Sequence, residues 1–555
     1  MDAFTLSHAL VDKACALRPV TATLLGVPGH DHRWDDFGPK GAARWSALLE
    51  DTQRALGALD PPSDRWQRLA ARCLGDWCHL EQDRLRAGDH LLDLNSIASS
   101  FQFLRMAFDV MDTRTPEGWE NVCARLRGLP EACATYREGL AEGLSRGLSV
   151  AARQVRAALH QGRQWLAPEG FFQGLPGALR RSGVASAVLE EKLQRALPTA
   201  CTALEELLAW LEHGYLPRSS ARDAVGRERY LREARRFLGD ALDPEDTYAW
   251  GWREVRELQR AMANTAGGIL PGRTLPEVLQ AVKAPPFPVA PTMEAFLAVM
   301  RERQARALSE LDGVHFDIPA PLKTLEVRRA PAGGSLGAYY LPPSEDFSRP
   351  GAVWYARQGD GPVALYDEVS TAYHEGFPGH HLQVGTQVAL TEKLSRFQRL
   401  WDGYAGYAEG WALYAERLMG ELGYYEEPAY VLGMQSNQLI RALRVVVDLG
   451  LHLELPIPAD APFHPGEPWS YALAVEVLRT HGGLAPDRAE SEVTRYLGWP
   501  AQAISYKCGE RVLLQLRDAL RARDGDRFSP RAFHARVLDS GPVGLGLLRE
   551  LVLEG

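Results

Sequence analysis

The residues most able to do chemistry lie in one short segment, TAYHEGFPGHHLQ at positions 371–383. It contains three histidines and one glutamate, His374, Glu375, His380 and His381. In the zinc-binding pattern HExxH, two histidines four residues apart share one helical face, and the glutamate beside the first is the general base. Here Pro378 stands where the second histidine belongs. The segment is therefore close to a known metal-binding pattern without matching it.

A regular helix would keep these histidines apart. His374 and His380 would lie roughly 240° apart around the helix axis, whereas His374 and His381 would share a face but stand about 10.5 Å apart. The usual four-residue pair stands about 6 Å apart along the axis. Neither pair could bind one metal ion on an unbroken helix.

The sequence also places a helix-breaker inside the segment. Pro378 has no N–H, and its ring would clash with the carbonyl group four residues earlier. We expect a two-residue bulge at residues 377–379, which moves His380 into the position of the second ligand and leaves His381 in reserve. The alternative is a helix that stops at Phe377, with the histidines on a polar loop.

A third protein ligand is expected downstream, because an open zinc site takes three protein ligands. Segment 404–421, YAGYAEGWALYAERLMGE, has helical periodicity, and Glu409 and Glu416 lie seven residues apart on one of its faces. We assign Glu409 to the metal, so that Glu416 can orient a ligand imidazole. Two histidines and one carboxylate suit a single Zn²⁺ per chain, although Fe²⁺ and Mn²⁺ accept the same ligands.

Helices must position these residues. The chain has 555 residues, of which 46% are hydrophobic and 24% charged, as in large globular proteins. Apolar residues recur at helical spacing over 41–262, and Gly and Pro then gather at 266–291. Short β-branched and aromatic runs follow, and helical periodicity resumes from about residue 366. We therefore predict a mainly α fold with a small β-sheet.

Two lobes are predicted from this pattern. Residues 1–270 would form a helical N-terminal lobe, and residues 271–555 a catalytic lobe. The catalytic lobe would contain a small sheet at about 322–357, metal-site helices at about 366–421 and a helical C-terminal part. Within the sheet, GAVWYAR at 351–357 is a candidate edge strand to which an extended peptide could add.

Composition argues against several classes of protein. With 62 basic and 71 acidic residues, the formal net charge is −9, which gives no electrostatic footprint for nucleic acid. The first residues lack the apolar run of a signal peptide, and no stretch approaches the roughly 20 apolar residues of a membrane helix. We expect a cytoplasmic protein that binds neither nucleic acid nor membrane. Its seven cysteines form no CxxC pair and indicate free thiols.

Several ordered blocks resemble the bacterial "domain of unknown function 885" family, over at least residues 330–515. The family pattern is H-E-x-x-P-G-H-x-x-Q, then E-G-W-x-x-Y, then S-Y-K-x-G. The matching residues are His374, Glu375, Pro378, Gly379, His380, Gln383, Glu409, Gly410, Trp411, Tyr414, Ser505, Tyr506, Lys507 and Gly509. Of the two later histidines, the pattern selects His380. Family members often carry a lipoprotein signal, and this sequence shows none.

That family is similar to zinc metallopeptidases, and the resemblance implies a zincin-like architecture. By analogy with angiotensin-converting enzyme and thimet oligopeptidase, this would be helical and two-lobed, with a central cleft. The implied activity is hydrolysis of short peptides by a metal-activated water, with Glu375 as the general base. Tyr506 is the candidate donor to the oxyanion that forms during hydrolysis.

Further residues are candidates for substrate contacts or for support of the site. Lys507 is a candidate partner for a substrate carboxylate. The others are His381, Glu416, Arg441, Arg444 and His452. Three alternatives to a peptidase stay open at this point: a metal-dependent hydrolase of non-peptide amides, a non-catalytic metal-containing binding protein, and a purely structural helical protein.

Overall fold

Helices dominate the structure, a computed structural model. It describes residues 2–60, 64–330, 337–357, 359–401 and 403–554. Within these residues, five short strands form two small sheets, which confirms the prediction of a mainly α fold with a small β-sheet. Part of the predicted sheet region, residues 331–336, lies outside the described residues.

The chain divides into two compact units, of which the first comprises Met1–Val225 with two returning segments, 395–397 and 494–499. Its helices are α1 (Ala3–Leu17), α2 (Pro19–Leu25), α3 (Pro39–Gly57), α4 (Arg65–Ala87), α5 (Ser100–Met106), α6 (Pro116–Ser145), α7 (Ala152–Leu166), α8 (Phe171–Arg181) and α9 (Ala187–Trp210). The long helices α6 and α9 pack against each other. Leu126 and Leu204 are buried in the core between these helices.

The second unit comprises Gly226–Leu394, Gln398–Val493 and Pro500–Gly555. Its helices are α10 (Arg227–Leu238), α11 (Pro244–Ile269), α12 (Leu275–Ala281), α13 (Met293–Leu311), α14 (Glu368–Glu375), α15 (His380–Ala389), α17 (Ala405–Glu421), α18 (Pro428–Leu453), α19 (Tyr471–Thr480), α21 (Ser505–Asp524), α22 (Pro530–Asp539) and α23 (Leu545–Glu554). Helices α16 (Arg396–Leu400) and α20 (Pro486–Gly498) contribute residues to both units.

Residues 226–270, which the sequence assigned to the N-terminal lobe, belong to the second unit. The reason is that α11 packs along α18. The two helices approach closely at Gly251, where an added Cβ would lie 2.8 Å from a methyl carbon of Val445. The Gly- and Pro-rich stretch at 266–291 therefore falls inside the second unit.

The larger sheet contains β2 (Leu325–Arg329), β3 (Ala338–Leu341) and β4 (Gly351–Tyr355), and the smaller contains β1 (Val289–Ala290) and β5 (Val363–Ala364). In the larger sheet, β4 is central, parallel to β2 and antiparallel to β3. The prediction of an edge strand at 351–357 is therefore wrong. Ala352, Val353 and Tyr355 are buried, as is usual for a strand paired on both sides. Among the described residues, no strand pairs with the outer side of β2 or of β3.

Two findings concern the environment of the chain. Within the described ranges, no helix is both long enough and apolar enough to cross a membrane. The seven cysteines are free thiols, as predicted, and all except Cys73 are buried.

Candidate metal centre

The predicted bulge is instead a junction between two helices. Helix α14 ends at Glu375 and α15 begins at His380, so the helix stops two residues earlier than the alternative reading proposed and restarts at once. At Gly379, an added Cβ would lie 2.0 Å from the carbonyl oxygen of His374, so only glycine fits this tight junction. The backbone N–H of His381 donates to the carbonyl of Gly376 at 3.1 Å and ties the two helices together.

Two side chains from other helices hold the junction closed. Gln304 of α13 donates to the carbonyl of Ala372 at 2.8 Å and accepts from the N–H of Phe377 at 2.7 Å. Trp411 of α17 donates its indole N–H to the carbonyl of Pro378 at 2.8 Å. Sequence reasoning missed Gln304, which carries no local signal because its partners lie about 70 residues further along the chain.

The junction brings together the three residues assigned as ligands. The ligand atoms of His374, His380 and Glu409 all lie within 4.8 Å of one another. Oε2 of Glu409 lies 3.3 Å from Nε2 of His374 and 3.5 Å from Nε2 of His380. Two ligands of a tetrahedral zinc ion, each about 2.0–2.1 Å from it, lie roughly 3.3 Å apart.

The same oxygen of Glu409 is the strongest indication that these residues suit a cation. It is buried, and within the described residues it has no hydrogen-bond partner. A buried carboxylate oxygen that faces two imidazole nitrogens without a directed hydrogen bond is costly unless a cation is bound. The donor set of two imidazoles and one carboxylate therefore fits a transition metal such as Zn²⁺.

Glu416 supports the first ligand from behind. Its side chain is fully buried, and Oε1 accepts a hydrogen bond from Nδ1 of His374 at 2.7 Å. Oε2 accepts a short hydrogen bond from the hydroxyl of Ser370, which lies one turn before His374 on α14. With its proton on Nδ1, the imidazole directs the lone pair of Nε2 towards Glu409 and His380. Ser370 was missed from the sequence, although its four-residue spacing from His374 places it on the same face.

The electrostatics of the centre follow from burial and mutual pairing. Burial lowers the pKa of His374, but the carboxylates of Glu409 and Glu416 more than reverse this and raise the pKa to about 9. Burial acts to raise the pKa of Glu409, and the two imidazoles hold it well below the ordinary value. Burial raises the pKa of Glu375, an effect that the two histidines oppose. Glu375 lies close enough for the charges of all three assigned ligands to act on its pKa.

His381 lies outside the cluster and cannot serve as the reserve ligand. Its Nε2–H donates to the carbonyl of Leu322 at 2.8 Å, and its Nδ1 accepts from the hydroxyl of Tyr340 at 3.1 Å. Both ring nitrogens are therefore occupied. Burial lowers the pKa of His381 to about 4, so the ring is neutral at physiological pH. Its contacts join α15 to β3 and to the segment before β2.

Tyr506 lies beside the cluster, as proposed from the sequence. Tyr506 is on α21, and its ring is nearly parallel to that of His374, with a centroid separation of 6.2 Å. The guanidinium of Arg444 lies 4.7 Å from the centroid of the Tyr506 ring. Close packing of α17 and α21 makes this possible. An added Cβ at Gly509 would lie 1.9 Å from the carbonyl oxygen of Gly406, so the two helices touch through glycine.

Lys507 is not available to a substrate, and its assignment as a carboxylate partner is wrong. It is almost fully buried, and its ammonium contacts Glu510 at 2.5 Å, Glu254 at 2.8 Å and Gln438 at 3.1 Å. A buried ammonium must be paired, and these groups provide the pairing. Lys507 joins α21 to α11 and α18, and it anchors the turn that carries Tyr506.

The three remaining basic candidates, His452, Arg441 and Arg444, have different surroundings. His452 is fully buried, 3.8 Å from Asp448, and its ring packs on Tyr230; it belongs to the contact between α10 and α18. Arg441 lies at the centre itself, with Nη2 3.9 Å from Oε1 of Glu416. Arg444 forms an ion pair of 3.0 Å with Glu492 and is only 8% exposed.

Comparisons with known proteins place these residues in a wider context. The sequence profile of a family described as "Bacterial protein of unknown function (DUF885)" matches residues 19–552. The search of curated proteins gives no significant match. Two solved structures that share the fold are each described as that of a "putative lipoprotein".

The first of these proteins is from Colwellia psychrerythraea. It has 21% sequence identity and a TM-score of 0.86, with coverage of 100% of this chain and 98% of that chain. The second, of unknown function, is from Shewanella oneidensis, with 18% identity, a TM-score of 0.76 and full coverage of both chains. At these identities the likeness concerns the fold alone.

Proposed function

We propose a function from the metal centre for this chain, which belongs to the bacterial DUF885 family of proteins of unknown function. The chain is a zinc-dependent hydrolase with a zincin-like, two-lobed architecture, and its preferred substrates are short peptides. The proposal depends on one observation above all. A buried carboxylate oxygen of Glu409 faces the Nε2 atoms of two histidines and lacks a hydrogen-bond partner among the described residues.

His374, His380 and Glu409 would hold the ion. When bound there, zinc supplies Lewis acidity towards a carbonyl oxygen and makes a water molecule more acidic. Glu416 keeps the proton of His374 on Nδ1, so that Nε2 stays available as a ligand. Ser370 fixes the other oxygen of Glu416 and thereby its orientation.

The residues of the chain supply the proton transfers of amide hydrolysis. Glu375 removes a proton from the attacking water, and the new C–O bond forms at the carbonyl carbon. Tyr506 donates its hydroxyl hydrogen bond to the oxygen that becomes negatively charged. Glu375 then passes the proton to the leaving nitrogen as the C–N bond breaks, which yields one carboxylic acid and one amine.

A peptide is favoured over other amides by the position of β3. No strand in the described part of the chain pairs with its outer side, and an extended peptide can add to such a side by backbone hydrogen bonds. Tyr340 of β3 contacts His381, the residue directly after the ligand His380. The unpaired strand and the metal centre are thus linked through one side-chain contact.

The test begins with the metal content of the purified full chain by elemental analysis. About one zinc ion per chain, retained in Glu375→Gln, is the expected result. The zinc-loaded chain should then cleave members of a mixed hexapeptide library, as followed by mass spectrometry, and Glu375→Gln should lose this activity by at least a hundredfold. Zinc without any peptide cleavage would favour a hydrolase of other amides or a non-catalytic binding protein. Failure to bind zinc after reconstitution would overturn the proposal.

A further inference from the structure

Arg441 of α18 has hydrogen-bond donors to spare beside the metal centre. Its Nη1 donates to the carbonyl of Asn437 at 3.1 Å, one turn earlier on the same helix. Its Nε is buried and has no hydrogen-bond partner within the described part of the chain. A guanidinium carries five N–H groups. The side chain is 15% exposed, so part of it can reach a bound molecule.

Glu416 does not use these donors. Nη2 of Arg441 lies 3.9 Å from Oε1 of Glu416, which is too long for a hydrogen bond. The two oxygens of Glu416 instead accept hydrogen bonds from His374 and Ser370. Arg441 therefore places a positive charge near Glu416, and its N–H groups on that side are left for another acceptor.

The neighbouring cations differ from Arg441 in this respect. Arg444 forms an ion pair of 3.0 Å with Glu492, and Lys507 one of 2.5 Å with Glu510. Both therefore already hold a carboxylate at hydrogen-bond distance. The sequence offered four basic side chains on α18 and α21 as substrate contacts, and His452 is fully buried beside Asp448. Among the other three, Arg441 is the one that a substrate anion would complete.

The position of Arg441 also suits a role at the reacting bond. Its positive charge acts on Glu375, the general base of the proposed mechanism. It shares Oε1 of Glu416 with Nδ1 of His374, at 3.9 and 2.7 Å respectively. The guanidinium is therefore within roughly 9 Å of the metal-facing nitrogen of His374. A hydrogen bond to a carboxylate takes about 3 Å of this distance, and the remaining roughly 6 Å is the span of one to two residues in an extended peptide.

Building on the hydrolase function proposed above, we propose that Arg441 binds a carboxylate of the substrate. A guanidinium holds a carboxylate by two parallel N–H···O bonds, which fixes the direction of the chain as well as its charge. The preferred substrates are then peptides with a free C-terminal carboxylate one or two residues beyond the bond that is cleaved. The chain removes one or two residues from the C-terminus of a short peptide.

The first experiment compares matched substrates on the zinc-loaded full chain. Each hexapeptide of a library is prepared as the free acid and as the C-terminal amide, and the cleaved bonds are identified by mass spectrometry. The acids should be cleaved at one of the last two bonds, at least tenfold faster than the amides. Cleavage of amides only beside Asp or Glu would identify a side-chain carboxylate as the anion instead. Equal cleavage of acids and amides would overturn the role of Arg441 and leave the hydrolase function intact.

The second experiment measures binding without turnover. Zinc-loaded Glu375→Gln should bind the acids at least tenfold more tightly than the amides by calorimetry, and Glu375→Gln/Arg441→Gln should bind both equally. Arg441→Lys in the same background keeps the positive charge but loses the pair of parallel N–H groups. It should recover part of the difference in affinity between acids and amides. Arg479→Gln, an exposed change on α19, is the control. An acid preference that survives Arg441→Gln would contradict the proposal, and zinc content reports separately on whether the centre is intact.

Discussion

Glu416 accepts a hydrogen bond of 2.7 Å from Nδ1 of His374, and its side chain is fully buried. Because Glu416 does not point at the ligand cluster itself, its effect on a metal must pass through the imidazole. The hydroxyl of Ser370 fixes the other oxygen of the same carboxylate. One turn of α14 therefore presents two donors to one acid on α17.

Replacement of Glu416 by Gln should weaken zinc binding by about 10–100-fold, because the orientation and basicity of His374 are no longer maintained. Competition with a zinc-sensitive fluorescent chelator measures the change. Glu421→Gln, on the same helix but in an exposed ion pair with Arg517, should leave the affinity unchanged. Equal zinc affinity in Glu416→Gln and wild type would show that the contact is only structural.

Replacement of the two neighbouring histidines, His380 and His381, should have opposite effects on zinc binding and on stability. His380→Ala should lose the zinc with little change in the stability of the metal-free chain. His381→Ala should keep the zinc but lower the free energy of unfolding by about 2–4 kcal/mol, since Leu322 and Tyr340 lose their partners in the protein interior. Elemental analysis and urea unfolding followed by circular dichroism measure the two properties. Zinc loss in His381→Ala, with zinc kept in His380→Ala, would exchange the two roles.

Gly509→Ala should disturb the centre from a distance. The added methyl group would meet the carbonyl of Gly406 at 1.9 Å, so α21 must move away from α17 and carry Tyr506 with it. We expect a loss of at least about 3 kcal/mol in unfolding free energy. Gly267→Ala on α11, where nothing lies within 4 Å of the new atom, should be neutral or stabilising. Similar stabilities for the two variants would refute the close approach.

Lys507→Met should destabilise the fold by about 2–4 kcal/mol, because Glu254 would lose its ammonium partner and buried Glu510 would keep only Arg417. The matched double variant Lys507→Met/Glu510→Gln should recover part of this loss, because position 510 then carries no charge on the side that faced the ammonium. Chemical unfolding of the three chains tests the point. A stable Lys507→Met variant with altered substrate preference would restore Lys507 as a substrate contact.

His534 predicts a pH dependence of stability that is separate from the metal centre. It is buried, its Nδ1–H donates to the carbonyl of His315, and its Nε2 accepts from Tyr414, both at 2.9 Å. Burial, helped by the charge of Arg517, lowers its pKa to about 4. The unfolded chain protonates this residue near pH 6.5, so the folded state loses about 1.4 kcal/mol per pH unit between there and about pH 4.

The comparison that isolates this effect is with His534→Gln, which keeps a donor and an acceptor but does not titrate. Between pH 7.5 and 5.0 the stability of the wild type should fall by about 2 kcal/mol more than that of the variant. Urea unfolding at the two pH values measures the difference. An equal fall in the stability of both chains would mean that the imidazole of His534 takes up a proton as readily in the folded state as in the unfolded state.

The parts of the site that could be predicted from sequence are those encoded locally. Ligand-type side chains and a seven-residue helical spacing suffice for His374, Glu409 and Glu416. The choice of His380 over His381 followed from the helix-breaker together with the family pattern. The helix junction itself was expected only as a bulge, since its closure depends on Gln304, whose position relative to it is fixed by tertiary packing.

Errors arose where partners distant in sequence decide a residue's role. Lys507 has the character of a surface cation until Glu254, on another helix, is brought against it. His452 is similarly explained by Tyr230. The strand at 351–355 has the composition of any apolar strand, and its central place depends on the order of pairing, which no run of residues specifies.

The helix junction has a consequence for transplanting this site. In an HExxH helix the spacing of the two histidines is built into a single rigid element, so the motif can be moved to another helix. Here the histidines belong to different helices, and their distance is set by Gln304 and Trp411, which lie outside the motif. If HEGFPGHH alone were copied into a new scaffold, the motif would be present but the distance between its histidines would not be fixed. The smallest portable unit is the junction with both of the side chains that close it.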